Sequence, residues 1–226
     1  MTTIVLTHGA FHGGWCFEPL VAELDARGVT TALVELPLTD LAEDAAAVTD
    51  VLNTIDGPVI LLGHSYGGAV ITVAGNHESV ERLVYLTALG PDDGELGTDG
   101  PMTIGEEFIL TMRVGDDGIP FIDPEFAAQI FYPDIDPEEA AQWATKLRPG
   151  NTGGSVIVEK AAWRSTPATY VVCTDDPILL VDGQRAVAER MGAEIVEIPG
   201  DHSPMVARAG ELADILAALV NQAPSK

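Results

Sequence analysis

The chain has 226 residues, enough for one α/β domain with an insertion and a large buried core. Its formal net charge of −24 repels nucleic acid and anionic membranes and disfavours multiply anionic substrates, leaving a neutral small molecule as the expected partner. No stretch approaches the roughly 18 apolar residues that span a bilayer, and Met1-Thr2-Thr3 runs into an apolar strand without a basic region, which predicts a cytoplasmic protein with no secretory signal.

Taken in order, Thr3-Ile4-Val5-Leu6 reads as a buried strand that ends in the loop Thr7 to Gly14. A helix is predicted from about Trp15 to Arg27, with Leu20, Leu24, Phe17 and Val21 at helical spacing and Gly28 as its stop. Thr31–Leu36 is the second strand. Asp40 with Glu43 three residues on forms a capping-box start, and Ala47, Val51 and Ile55 mark the apolar face of the helix that follows. Pro58–Leu62 is the third strand, followed by a helix to about Asn76, and Arg82–Thr87 is the fourth. Later come the strand Thr169–Cys173, a helix near Gly183–Met191, the strand Glu194–Ile198 and an amphipathic helix Gly210–Val220. Alternating apolar runs and helices predict an α/β fold of about six mostly parallel strands with helices on both faces. Right-handed crossovers place every strand's C-terminal end along one edge.

Between about residues 91 and 163 the alternation fails. Three helical patterns, Gly105–Arg113, Pro124–Tyr132 and Pro137–Leu147, sit in an Asp-, Gly- and Pro-rich background with many large apolar groups. This segment is expected to fold over the active edge as a cap within a single domain.

The stretch that carries chemistry is Gly63-His64-Ser65-Tyr66-Gly67, placed between a buried strand and a helix. That arrangement describes a nucleophile elbow, a strained turn that exposes the serine hydroxyl. Ser65 then needs a base and a group that orients the base. His202, four residues past the last strand, is the expected base. His77 lies about 18 Å along a helix toward the opposite edge, His64 should point away from the nucleophile, and His8 and His12 suit structural hydrogen bonding. Asp176, held by Pro177-Ile178 after a strand, is the preferred orienting carboxylate, with Asp92 or Asp93 as rivals at the same edge. The oxyanion requires backbone N–H donors, expected from Tyr66 and from Ala10 in the first loop. Cys16 and Cys173 are too few for a disulfide framework or a structural zinc site.

With these residues in place the chain resembles an α/β-hydrolase, in particular the esterase and hydroxynitrile-lyase group that includes plant methyl-ester esterases. The matching stretches are His8-Gly9-Ala10-Phe11-His12-Gly13-Gly14-Trp15-Cys16, Gly63 to Gly68, Val172-Cys173-Thr174-Asp175-Asp176 and Gly200-Asp201-His202. The resemblance implies Asp176 as the triad acid and Ala10 and Tyr66 as oxyanion donors. The lyase branch typically carries threonine where this chain has Gly9 and lysine where it has Ser203, so hydrolysis is favoured. The expected activity is therefore a serine carboxylesterase acting on a small neutral ester, without metal or cofactor. Gly9, Phe11, Phe108, Met112, Phe131 and Tyr132 are expected to contact substrate, and a homodimer is an open expectation. The alternatives are a hydroxynitrile lyase or other carbon–carbon bond-cleaving enzyme, an acyltransferase or perhydrolase, and a non-catalytic ligand-binding receptor.

Overall fold

Six apolar runs build the central sheet: β1 (Thr3–Thr7), β2 (Thr30–Val34), β3 (Val59–Ser65), β4 (Val80–Ala88), β7 (Ala168–Cys173) and β8 (Glu194–Ile198). The computed structural model describes residues 1–150 and 156–222. All pairings in this sheet are parallel, in the order β2-β1-β3-β4-β7-β8. The direction of winding reverses between β1 and β3, which opens a crevice at their C-terminal ends.

Side chains alternate between two cores. Val5, Leu61, Tyr85 and Val172 face helices α2 (Leu41–Leu52), α3 (Gly67–Ala74) and α7 (Val181–Met191). Ile4, Leu6, Ile60, Leu62, Val84 and Val171 face α1 (Glu18–Ala26) and α9 (Ala209–Gln222). Each of these fully buried aliphatic side chains contributes about 1.5–3 kcal/mol. Helix α7 ends where Gly192 takes φ +63°, the left-handed conformation that closes helices.

Several boundaries differ from expectation for local reasons. The first helix opens as a 3₁₀ turn, Gly14–Phe17, and becomes α-helical only at Glu18, where Pro19 sits in the first turn. In α2 the buried face is Leu41, Asp44, Ala45, Val48 and Leu52, with Ala47 and Val51 flanking it half-buried, and Ile55 lies three residues past the helix's end. Asp40 does cap this helix, accepting from Glu43 N at 2.8 Å. A short helix, α8 (Pro204–Ala207), which the sequence reading did not anticipate, follows His202 directly.

Between β4 and β7 lie α4 (Glu106–Thr111), β5 (Met112–Val114), β6 (Pro120–Ile122), α5 (Pro124–Phe131) and α6 (Pro137–Ala144). Of the segment 91–163, residues 151–155 lie outside the described residues. The predicted first helix of this insertion stops early, because Met112 turns extended (ψ 136°) and starts an antiparallel hairpin with β6. Helices α5 and α6 each start at an aspartate cap followed by proline, Asp123-Pro124 and Asp136-Pro137. The insertion is tied down near the first loop. Trp143 stacks on Trp15 at 5.8 Å, Lys146 Nζ lies 4.1 Å from the Trp143 ring centre, and Arg148 donates to Glu35 at 2.8 Å and to the Leu36 carbonyl at 2.6 Å.

Candidate active site

Ser65 ends β3 with φ +55°, a left-handed conformation that costs a non-glycine residue about 1–3 kcal/mol. The turn works only because its neighbours lack side chains. A Cβ on Gly63 would stand 2.4 Å from the Gly67 carbonyl oxygen, and one on Gly67 would stand 2.6 Å from those of Thr7 and His8. Helix α3 can therefore fold back tightly behind the serine.

At the neighbouring strand ends, His202 Nδ1 lies 2.7 Å from Asp176 Oδ2, and both residues are buried. The Asp176 carboxylate is fully engaged: Oδ1 accepts from the N–H groups of Ile178 (2.7 Å) and Leu179 (3.0 Å), while Oδ2 also accepts from the Thr87 hydroxyl. The rivals are committed elsewhere. Asp92 holds Arg164 through two bonds of 2.6 Å, and Asp93 accepts from Ala161 N at 2.6 Å. Among the described residues the Ser65 hydroxyl makes no hydrogen bond. Serine–histidine bonds are often long without substrate and tighten in the complex.

The remaining histidines hold backbone. His8 Nε2 accepts from Leu36 N at 3.0 Å, so its Nδ1 carries the proton and donates to the Gly9 carbonyl at 2.8 Å. His12 Nδ1 bonds the Ala10 carbonyl at 2.8 Å and its Nε2 meets Tyr132 Oη at 2.9 Å. His64 Nε2 donates to the His202 carbonyl at 2.7 Å, and the two rings lie 4.7 Å apart. His77 bonds Ser79 and Asn53, beyond the C-terminal end of α3. Burial keeps the three site-side rings neutral, pushing His8 down to about 4, His12 down to about 3 and His64 well below the ordinary value.

Of the two expected oxyanion donors, Tyr66 follows the serine in the chain and Ala10 lies in the first loop, which passes beside it. Tyr66 caps α3 immediately after Ser65, and its hydroxyl donates to buried Asp44 at 2.7 Å. Ala10 follows Gly9, whose missing Cβ would fall 2.8 Å from Ser65 Cβ. No backbone hydrogen bond takes up either N–H among the described residues. Phe11, at φ +64°, is buried in the same loop, and its carbonyl accepts from Arg148 N at 2.9 Å.

Of the expected insertion contacts, Phe131 packs against the His202 ring (6.1 Å) and the His12 ring (4.9 Å), and Phe108 lies edge-on to it at 5.9 Å. Met112 departs from expectation: it stands on the outer hairpin, 38% exposed, and belongs to neither core. Tyr132 is fully buried with its hydroxyl on His12, a tie between insertion and first loop. The sequence reading missed two groups, Thr87 behind Asp176 and Asp134. Asp134 N donates to Asp201 Oδ2 and Asp201 N to Asp134 Oδ2, each at 3.2 Å. Burial raises the Asp201 carboxyl to about 6. The burial of Cys16 pushes its thiol well up, away from thiolate chemistry.

The model of the alpha/beta hydrolase family matches residues 4–215. The chain belongs to the alpha/beta hydrolase family. Among curated family relatives it is 26% identical to methylesterase 7 of Arabidopsis thaliana, over 94% of each chain. It is 28% identical to a carbendazim hydrolyzing esterase of a Nocardioides species, over 97% of this chain and 100% of that one. A solved pyrethroid hydrolase from Sphingobium faniae superposes with a TM-score of 0.84 at 24% identity, over 99% of this chain and 98% of that one, a likeness of fold. Among the described residues no helix is long and apolar enough to cross a membrane.

Proposed function

We propose that this alpha/beta hydrolase is a serine carboxylesterase acting on a small neutral ester. The buried 2.7 Å His202–Asp176 pair, set at the same sheet edge as the positive-φ Ser65, carries this reading. Ser65 attacks the ester carbonyl while His202 takes the hydroxyl proton, and Asp176 stabilises the resulting imidazolium. The N–H groups of Ala10 and Tyr66 hold the oxyanion. His202 returns the proton to the departing alkoxide, then activates water, which releases the acid from the acyl-serine. The insertion acts as a cap, with Phe131 and Phe108 forming apolar walls beside His202.

The esterase names of the curated relatives support hydrolysis of an ester, and the net charge of −24 supports a neutral one. The lyase reading is disfavoured at Gly9, because the threonine expected there would drive its Cβ into Ser65. Hydrolysis of p-nitrophenyl acetate tests the reading. Ser65→Ala should lower turnover by about 10⁴-fold or more while the variant remains folded. Activity retained by Ser65→Ala would remove the serine from the mechanism.

A further inference from the structure

The end of β4 is irregular where β3 is most strained. His64 pairs with Leu86, but Ser65 pairs with Ala88, so Thr87 is an extra residue inserted between two paired positions. This bulge re-aims one side chain, the usual consequence of such an insertion. Thr87 has φ +34°, unusual for a β-branched residue, and is fully buried. Its neighbour is locked from both sides: Tyr170 Oη accepts from Ala88 N at 2.8 Å and donates to the Ala88 carbonyl at 2.7 Å. The re-aimed Thr87 hydroxyl donates to Asp176 Oδ2, the same oxygen that accepts from His202 Nδ1.

We propose that Thr87 is a positioning residue that sets the angle of the His202–Asp176 pair from the bulge at the end of β4. This inference rests on the esterase reading and deepens it. A carboxylate oxygen offers two good acceptor directions. On Oδ1 both are taken by Ile178 and Leu179 N–H groups, which fix the carboxylate plane. On Oδ2 the Thr87 hydroxyl takes one, leaving His202 a single direction. The imidazole is therefore held in one orientation toward Ser65, and the bulge strain is retained because Tyr170 clamps the residue beside it.

The test compares Thr87→Val, which keeps the shape and removes the donor, with Thr87→Ser, which keeps the donor. On p-nitrophenyl acetate Thr87→Val should lower kcat on the order of ten- to a hundredfold with KM within about twofold, a cost typical of a misplaced catalytic group. Thr87→Ser should stay within about threefold of wild type, because it keeps the hydroxyl that the angle depends on. The low-field proton resonance of His202 Nδ1–H should persist in Thr87→Ser and shift or broaden in Thr87→Val. Should Thr87→Val fail to fold, Thr87→Cys replaces it, since a thiol is a poor donor and the same kcat loss is expected. Val or Cys variants with wild-type kcat and an unmoved resonance would overturn the proposal. Ser65→Ala as a control separates the outcomes: if it is dead while Thr87→Val is fully active, only the role of Thr87 fails, whereas an active Ser65→Ala removes the esterase reading itself.

Discussion

A Cβ at residue 9 would meet Ser65 Cβ at 2.8 Å and His64 Nδ1 at 3.1 Å. Neither neighbour can give way, because Ser65 is held in its elbow and His64 is fully buried against His202. Gly9→Ala should therefore lower kcat on p-nitrophenyl acetate on the order of ten- to a hundredfold, by displacing either the proposed nucleophile Ser65 or the proposed oxyanion donor Ala10 N–H. Wild-type kinetics in that variant would mean that the first loop stands clear of the reacting serine. At this scale the sequence was informative where chemistry restricts residue type: glycines at 63 and 67, a serine between them, and a histidine after the last strand. It was silent on Thr87, since nothing in Leu86-Thr87-Ala88 marks a bulge.

Elements were legible where their apolar period was clean and uninterrupted. The six strands are short apolar runs and were readable as such. The inner face of α2 was not, because its centre is a carboxylate: Asp44 is buried there, accepting from Leu38 N and Tyr66 Oη at 2.7 Å each. A polar residue satisfied by tertiary partners breaks the pattern that reveals a face. The β5–β6 hairpin was hidden for a different reason, since each strand is only three residues long. The tie between insertion and first loop depends on Tyr132, and Tyr132→Phe would leave the buried His12 Nε2 without its partner. That change should cost about 1–3 kcal/mol of stability, read as a lower urea midpoint. An unchanged midpoint would mean that the Trp15–Trp143 stack and the Arg148 bonds hold the insertion without it.

For the whole molecule, the buried histidines set the response to acid. His8, His12 and His64 are held neutral below their ordinary value of 6.5, so the unfolded chain binds protons that the folded chain refuses. The stability they confer is present above pH 6.5 and is lost as pH falls toward 4. Asp201, raised from 3.8 to about 6, acts in the opposite sense, its contribution being present at low pH and lost as pH rises through 6. Burial raises the Asp44 carboxyl as well, in the same sense as Asp201, so three histidines stand against two carboxylates and the net effect is a loss of stability on going from pH 6 to 5. Urea midpoints at pH 7, 6 and 5 should fall accordingly, and a flat or rising series would contradict the neutral-histidine cluster.

The central claim is that Ser65, His202 and Asp176 form one proton path over the sheet edge. A crystal structure of the protein inactivated by a fluorophosphonate measures it most directly. The account predicts phosphorus on Ser65 Oγ, with His202 Nε2 within hydrogen-bond reach of the adduct, its Nδ1 still on Asp176, and the phosphoryl oxygen between the N–H groups of Ala10 and Tyr66. An adduct on another residue, or an imidazole that stays beyond reach of the adduct, would contradict it.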